Sequence, residues 1–273
     1  MHIHVPKTAG TAVRVWLYRA FPEGYGSWYP DYVFDETTLA AAGLRDLRIR
    51  AFSTHWIRRF PSTICGRNMK YFTLLRHPLD HVISRVRYYY QMQVDAQKTP
   101  AAALGPLRDF AAGWVDDWGN DPFHENMQTN FFALHPWSDL QASKFNCEPD
   151  TYRSWPSPVR EAYMRERLEV AKDVLRSFLA VGVTEHIIDS LEVLRDRSQR
   201  HGFELLPSQE LTFENITRIR LEDDSWLGHH DPVGRRILAS VTEDEELYYF
   251  ARALLEHARQ AKSRHRRPIL RVV

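Results

Sequence analysis

The segment His2-Ile3-His4-Val5-Pro6-Lys7-Thr8-Ala9-Gly10-Thr11-Ala12 runs from a short apolar stretch into a turn of small and hydroxyl residues, and a helical apolar pattern follows. That order suits an anion. Backbone N–H groups at a helix N-terminus point into the preceding turn, and the helix dipole favours negative charge there. Ala9 and Gly10 let the backbone approach closely. Lys7 supplies a mobile charge, and Thr8 and Thr11 supply hydroxyls. A phosphate is the group such a cradle would take, held by Lys7, Thr8, Ala9, Gly10, Thr11 and Ala12. The segment lacks the first Gly and the Gly-Lys pair of G-x-x-x-x-G-K-[ST], so it is not a Walker A loop. An ordinary strand-to-helix turn with an exposed Lys is the plainer reading of the same residues.

A second candidate is Tyr71-Phe72-Thr73-Leu74-Leu75-Arg76-His77-Pro78, with Ser84 eight residues after Arg76. Arg76 offers a planar fork of donors to a phosphate. Pro78 suits the first turn of a helix, which puts Ser84 about two turns in. Between the two segments lies Ala51-Phe52-Ser53-Thr54-His55-Trp56, in which His55 is a general-base candidate. Arg58 and Arg59 follow it and could engage an acidic substrate.

These segments together resemble the PAPS-dependent sulfotransferases, in particular the branch acting on heparan and dermatan or chondroitin chains. Pro6-Lys7-Thr8-Ala9-Gly10-Thr11 resembles that family's 5′-phosphosulfate loop, and Arg76 with Ser84 resembles its 3′-phosphate pair. Asn126-Met127-Gln128-Thr129-Asn130-Phe131-Phe132, Phe178 to Glu185 and Glu243 to Ala251 are similar to later stretches of the same branch, so the likeness spans nearly the whole chain. The resemblance implies 3′-phosphoadenosine 5′-phosphosulfate (PAPS) as sulfuryl donor and adenosine 3′,5′-bisphosphate as product, with no metal required. It implies a carbohydrate-type hydroxyl as acceptor, His55 as base and Lys7 as the cation on the bridging oxygen. Asn215-Ile216-Thr217-Arg218 stands where the family closes a late loop over the nucleotide, which makes Arg218 a further contact. Two departures stand out. His77 occupies a position that is usually Asp, and Ser53 stands where some relatives carry the first His of His-x-His.

Other clusters carry less. His2 and His4 share a strand face and His229-His230-Asp231 lies in a polar stretch, but neither offers a full metal-ligand set. Tyr88-Tyr89-Tyr90 could stack on a sugar, with at least one of the three expected in the core.

The elements needed to position these residues are legible as a pattern. Apolar runs at 2–5, 49–52, 71–75 and 178–183 read as buried strands. Helical spacing appears over 11–21, 79–90, 159–179, 185–201 and 242–261. Strands alternating with helices predict an α/β fold: a P-loop-like central parallel sheet with helices on both faces, as one domain over 1–273. Ligands of such sheets bind at the carboxyl ends of the strands. Stretches 95–106, 116–121 and 222–234 read as loops, and a basic tail is expected from about residue 262.

The chain has 273 residues, 44% of them hydrophobic, and a formal net charge of +1. That balance gives no reason to expect nucleic acid as a partner. Between Arg45 and Arg87, however, Lys and Arg outnumber Asp and Glu ten to two. Cys65 and Cys147 allow one disulfide but no disulfide framework or C-x-x-C zinc pattern. No run reaches the ~18–20 apolar residues of a transmembrane helix. The expected location is the cytoplasm for a complete chain, or the Golgi lumen if an N-terminal anchor was removed. Two alternatives stand beside sulfuryl transfer: a P-loop-type nucleotide-dependent kinase, and a non-catalytic protein that binds acidic glycans.

Overall fold

In the computed structural model five short strands run parallel in one sheet: β1 (His2–Ile3), β2 (Tyr25–Trp28), β3 (Ala51–Thr54), β6 (Phe72–Leu75) and β7 (Ala180–Val183). Their spatial order is β2-β3-β1-β6-β7. An antiparallel hairpin, β4 (Thr63–Ile64) and β5 (Arg67–Asn68), lies between β3 and β6 in the chain. Cys65 and Gly66 both adopt positive φ in its two-residue turn, the backbone that matches strand twist in a tight hairpin. The structure describes residues 1–28, 37, 43–55, 60–97, 104–118, 125–133, 154–208 and 225–265. Arg58, Arg59, Cys147 and Arg218 lie outside the described residues.

Eight α-helices accompany the sheet among the described residues: α1 (Gly10–Ala20), α2 (Pro78–Gln97), α3 (Leu107–Trp118), α4 (Met127–Ala133), α5 (Ser157–Ser177), α6 (Ile187–Gln199), α7 (Pro232–Ala239) and α8 (Thr242–His265). The fold is therefore the expected P-loop-like α/β arrangement. Parallel strands need crossovers, and the crossover helices bury the sheet, which is why strands such as Phe72-Thr73-Leu74-Leu75 and Ala180-Val181-Gly182-Val183 are buried at every position. The main core joins Ile3, Leu75 and Val183 of the sheet to Trp16, Leu191 and Leu247 of the helices. A second cluster packs Val86 of α2, Val115 of α3 and Ile237 of α7. Each such side chain contributes roughly 1.5–3 kcal/mol by leaving water.

Several sequence expectations shift. The strand expected at 49–52 forms at Ala51–Thr54, which puts His55 directly after its last residue. Stretch 95–106 was expected as loop, but α2 continues to Gln97. Within 222–234, Pro232 opens α7, and the Asp231 carboxylate caps it by accepting from Val233 N–H at 2.7 Å. Of the basic tail expected from about 262, the first residues continue α8, which runs to His265, and Lys262 Nζ pairs with Asp196 at 2.5 Å; residues 266–273 lie outside the described residues. Among the described residues no helix is long and apolar enough to cross a membrane.

Candidate functional site

β1 is the middle strand, with His2 opposite Ser53 of β3 and Phe72 of β6. The turns after β1, β3 and β6 therefore emerge side by side at the carboxyl end of the sheet. They carry Lys7, His55 and Arg76.

The first turn winds tightly. Lys7 and Ala9 both sit at positive φ, 69° and 62°, which costs a non-glycine residue of order 1–2 kcal/mol. Thr8 is buried, and its hydroxyl donates to Val5 O at 2.8 Å. This bond holds the turn closed and commits the Thr8 hydroxyl inward. The first turn of α1 has no side-chain cap and no acidic residue, so its N-terminal N–H groups face the turn without an internal anion. Thr11 is half-buried on that turn and Ala12 packs into the core.

Gly10 has a structural role of its own. A Cβ placed on it would lie 1.9 Å from His4 Nε2. The missing side chain is the space in which the His4 ring sits. That ring stacks on His55 with centroids 4.6 Å apart, and on His2 at 5.6 Å. His55 Nδ1 donates to His4 O at 2.6 Å. A carbonyl only accepts, so Nδ1 carries the proton and Nε2 carries the lone pair of the neutral ring. His4 titrates well below a free histidine, because its burial and the neighbouring His55 both oppose a charge.

The Arg76 guanidinium reaches the first turn, with Nη1 donating to Lys7 O at 3.2 Å. The two candidate phosphate elements are thus in direct contact. Burial lowers the pKa of Lys7, and Arg76 lowers it further. Burial likewise lowers that of Arg76. Neither side chain has a carboxylate within ion-pair distance among the described residues. Two half-buried cations therefore meet here, with Asp80 and Glu185 acting on Arg76 only from beyond ion-pair distance among the described residues.

Helix α2 docks on the same turn at two points. His81 Nε2 donates to Pro6 O at 2.8 Å, and Lys7 Nζ lies 4.3 Å from the centre of the Tyr88 ring. Ser84 stands between them at helical spacing, three residues after His81 and four before Tyr88, which puts it on the loop-facing stripe. Burial keeps His81 neutral down to about pH 3.

Four positioning residues escaped the sequence reading. The Gln128 side chain brackets Arg76: Oε1 accepts its N–H at 2.9 Å and Nε2 donates to its carbonyl at 2.8 Å. Glu185 accepts His77 N–H at 2.8 Å and Tyr248 Oη–H at 3.0 Å. Asp244 accepts the N–H groups of Gln128 (3.0 Å) and Thr129 (2.7 Å), capping α4, while Asn126 Oδ1 caps α8 by accepting from Glu243 and Asp244 (2.9 and 3.0 Å). All of them fall in stretches 126–132, 178–185 and 243–251, but their roles are exercised on backbone groups that only the fold brings near.

The histidine clusters do not form a metal centre. His2 is buried, with Nδ1 3.2 Å from Ser53 Oγ, and Asp231 is engaged by Arg108 at 2.8 Å. No group of three His, Cys, Asp or Glu side chains among the described residues is placed to hold a metal ion. No protein-family model matches the chain, and no curated protein matches it.

Proposed function

We propose that this protein transfers a sulfuryl group from PAPS to a hydroxyl on a carbohydrate-type acceptor. One observation carries the reading: Lys7 and Arg76 meet at the uncapped N-terminus of α1 with no carboxylate paired to either among the described residues. Such a place favours an anion with charge at two neighbouring points. The 5′-phosphosulfate fits the Lys7–Ala12 turn, and the 3′-phosphate fits Arg76 and Ser84.

In this reading the acceptor oxygen attacks sulfur in line, and the bond from sulfur to the bridging phosphate oxygen breaks. The proton of the acceptor hydroxyl passes to Nε2 of His55, the nitrogen left with its lone pair by the bond from Nδ1 to His4 O. Charge appearing on the departing phosphate is met by Lys7 and by the N–H groups of α1. Lys7 is already partly desolvated, so its charge is worth more there than in water.

The test has two readouts. At ~100 times its Kd, adenosine 3′,5′-bisphosphate should stabilise the fold by about 2.7 kcal/mol, seen as a rise of several degrees in melting temperature, while ATP gives a smaller one. His55→Ala should keep that rise and lose turnover of labelled PAPS with a glycan panel, by about a hundredfold or more. A shift with ATP alone would favour the kinase reading. Glycan binding without nucleotide binding or turnover would favour the binding protein.

A further inference from the structure

The three tyrosines of α2 have separate fates. Tyr90 turns inward: it is buried, donates from Oη to Gly105 O at 3.0 Å and packs edge-on against Phe110. Tyr88 and Tyr89 stay 42% and 39% exposed. Their rings lie 5.6 Å apart, and Tyr89 meets Trp114 of α3 at 5.0 Å. Beneath Trp114 lies the guanidinium of buried Arg85, 5.2 Å from the ring centre. The result is an unbroken row of Lys7, Tyr88, Tyr89 and Trp114, leading from the anion turn out along α2 and α3.

We propose that this row is the acceptor platform, and that it takes a pyranose ring by its C–H face. The proposal rests on the sulfuryl-transfer reading only for the statement that the bound sugar is the acceptor. Large aromatic rings left in water at the rim of a site are a recognition surface more often than an accident. Tyr and Trp combine an apolar face with a polar edge, which is what a sugar ring presents in return: C–H groups on one face and hydroxyls around the rim. Location fixes the occupant further. The row begins at Lys7, so a ring seated on it puts a hydroxyl next to the turn that holds the donor. The cation held over Tyr88 is the same one assigned to the bridging oxygen. Tyr88 therefore stands between the sugar seat and the cation assigned to the donor, and Tyr89 and Trp114 set which sugars fit.

Saturation-transfer NMR with methyl β-galactoside, cellobiose and N-acetyllactosamine tests the platform without requiring turnover. At least one probe should show transfer to ring C–H protons on the native chain. The signal should fall by about fivefold or more in Tyr89→Ala and in Trp114→Ala, and should persist in Tyr89→Phe. Thermal stabilisation by adenosine 3′,5′-bisphosphate should be the same in all three variants. If Trp114→Ala does not fold, Tyr89→Ala at its exposed position decides the matter alone. Absence of transfer from every probe, or a signal that survives Tyr89→Ala, overturns the proposal. Transfer that depends on Tyr89 in a chain that ignores the nucleotide would leave the platform standing and overturn the sulfuryl-transfer reading instead.

Discussion

Arg76 and Gly10 show how differently two residues of one site respond to change. Arg76 reaches the first turn with one nitrogen, and the rest of its fork has no partner among the described residues. Arg76→Lys keeps a charge but loses the planar donor pair. Binding of adenosine 3′,5′-bisphosphate should weaken by about 1.5–3 kcal/mol, roughly ten- to a hundredfold, with little change in melting temperature; calorimetric titration measures it. Gly10→Ala acts on the fold. Its Cβ has nowhere to go while His4 occupies the space 1.9 Å away, so a loss of about 1–3 kcal/mol or more is expected. Adding His4→Ala to Gly10→Ala should recover part of that loss in thermal denaturation, because it empties the contested space and leaves the His4 carbonyl on His55. The types and spacing of Lys7, His55 and Arg76 were legible in the sequence because each follows a strand in the central run of the sheet. The job of Gly10 was not, since nothing in a linear sequence says that a histidine six residues earlier will fold back onto it.

At the scale of elements, α4 and α8 cap one another. Asn126 closes the N-terminus of α8 and Asp244 closes that of α4. A helix end buried without such partners leaves donors unsatisfied at about 1–3 kcal/mol each. Asn126→Ala and Asp244→Ala should each lower stability by that order. The double variant should cost less than the sum of the two, by 0.5 kcal/mol or more in a double-mutant cycle, because both act on one clasp. The helical periods of α1, α5, α6 and α8 were readable from apolar spacing. The edge strand β2, Tyr25-Gly26-Ser27-Trp28, was not, because its pattern is neither a continuous apolar run nor a clean alternation. The β4–β5 hairpin has strands of two residues each, too short to carry a period. α7 was hidden in a stretch whose Gly and Pro residues read as loop, although Pro232 at its first turn is a normal helix start.

For the whole molecule the buried histidines set the response to acid. His2 and His81 are each pushed down to about 3, and His4 lies well below its usual value, all chiefly by burial. A group whose pKa is depressed in the folded state binds fewer protons there than in the unfolded chain. The stability linked to it is complete above about pH 6.5 and is lost as pH falls toward 3. Asp244 works the other way, since burial raises it to about 6 and its ionisation opposes folding between about pH 4 and 6. Burial raises Glu243 as well, and three histidines outweigh the two carboxylates. The melting temperature should fall from pH 7 to pH 4, with a net uptake of more than one proton on unfolding below about pH 6, or over ~1.4 kcal/mol per pH unit there. A melting temperature that rises over that range would show that the histidines are not held neutral.

The clasp between Asn126 and Asp244 also orders events in time. The turn at Arg76 is fixed by Gln128, whose own helix is capped by a residue near the far end of the chain. During synthesis from the N-terminus, β1, α1, β6 and α2 are all made long before Asp244 leaves the ribosome. A nascent chain stalled before α8 therefore holds every described residue of the two candidate phosphate elements and still lacks the brace that keeps Arg76 in place, so the nucleotide grip proposed for it should arrive late and abruptly, with α8.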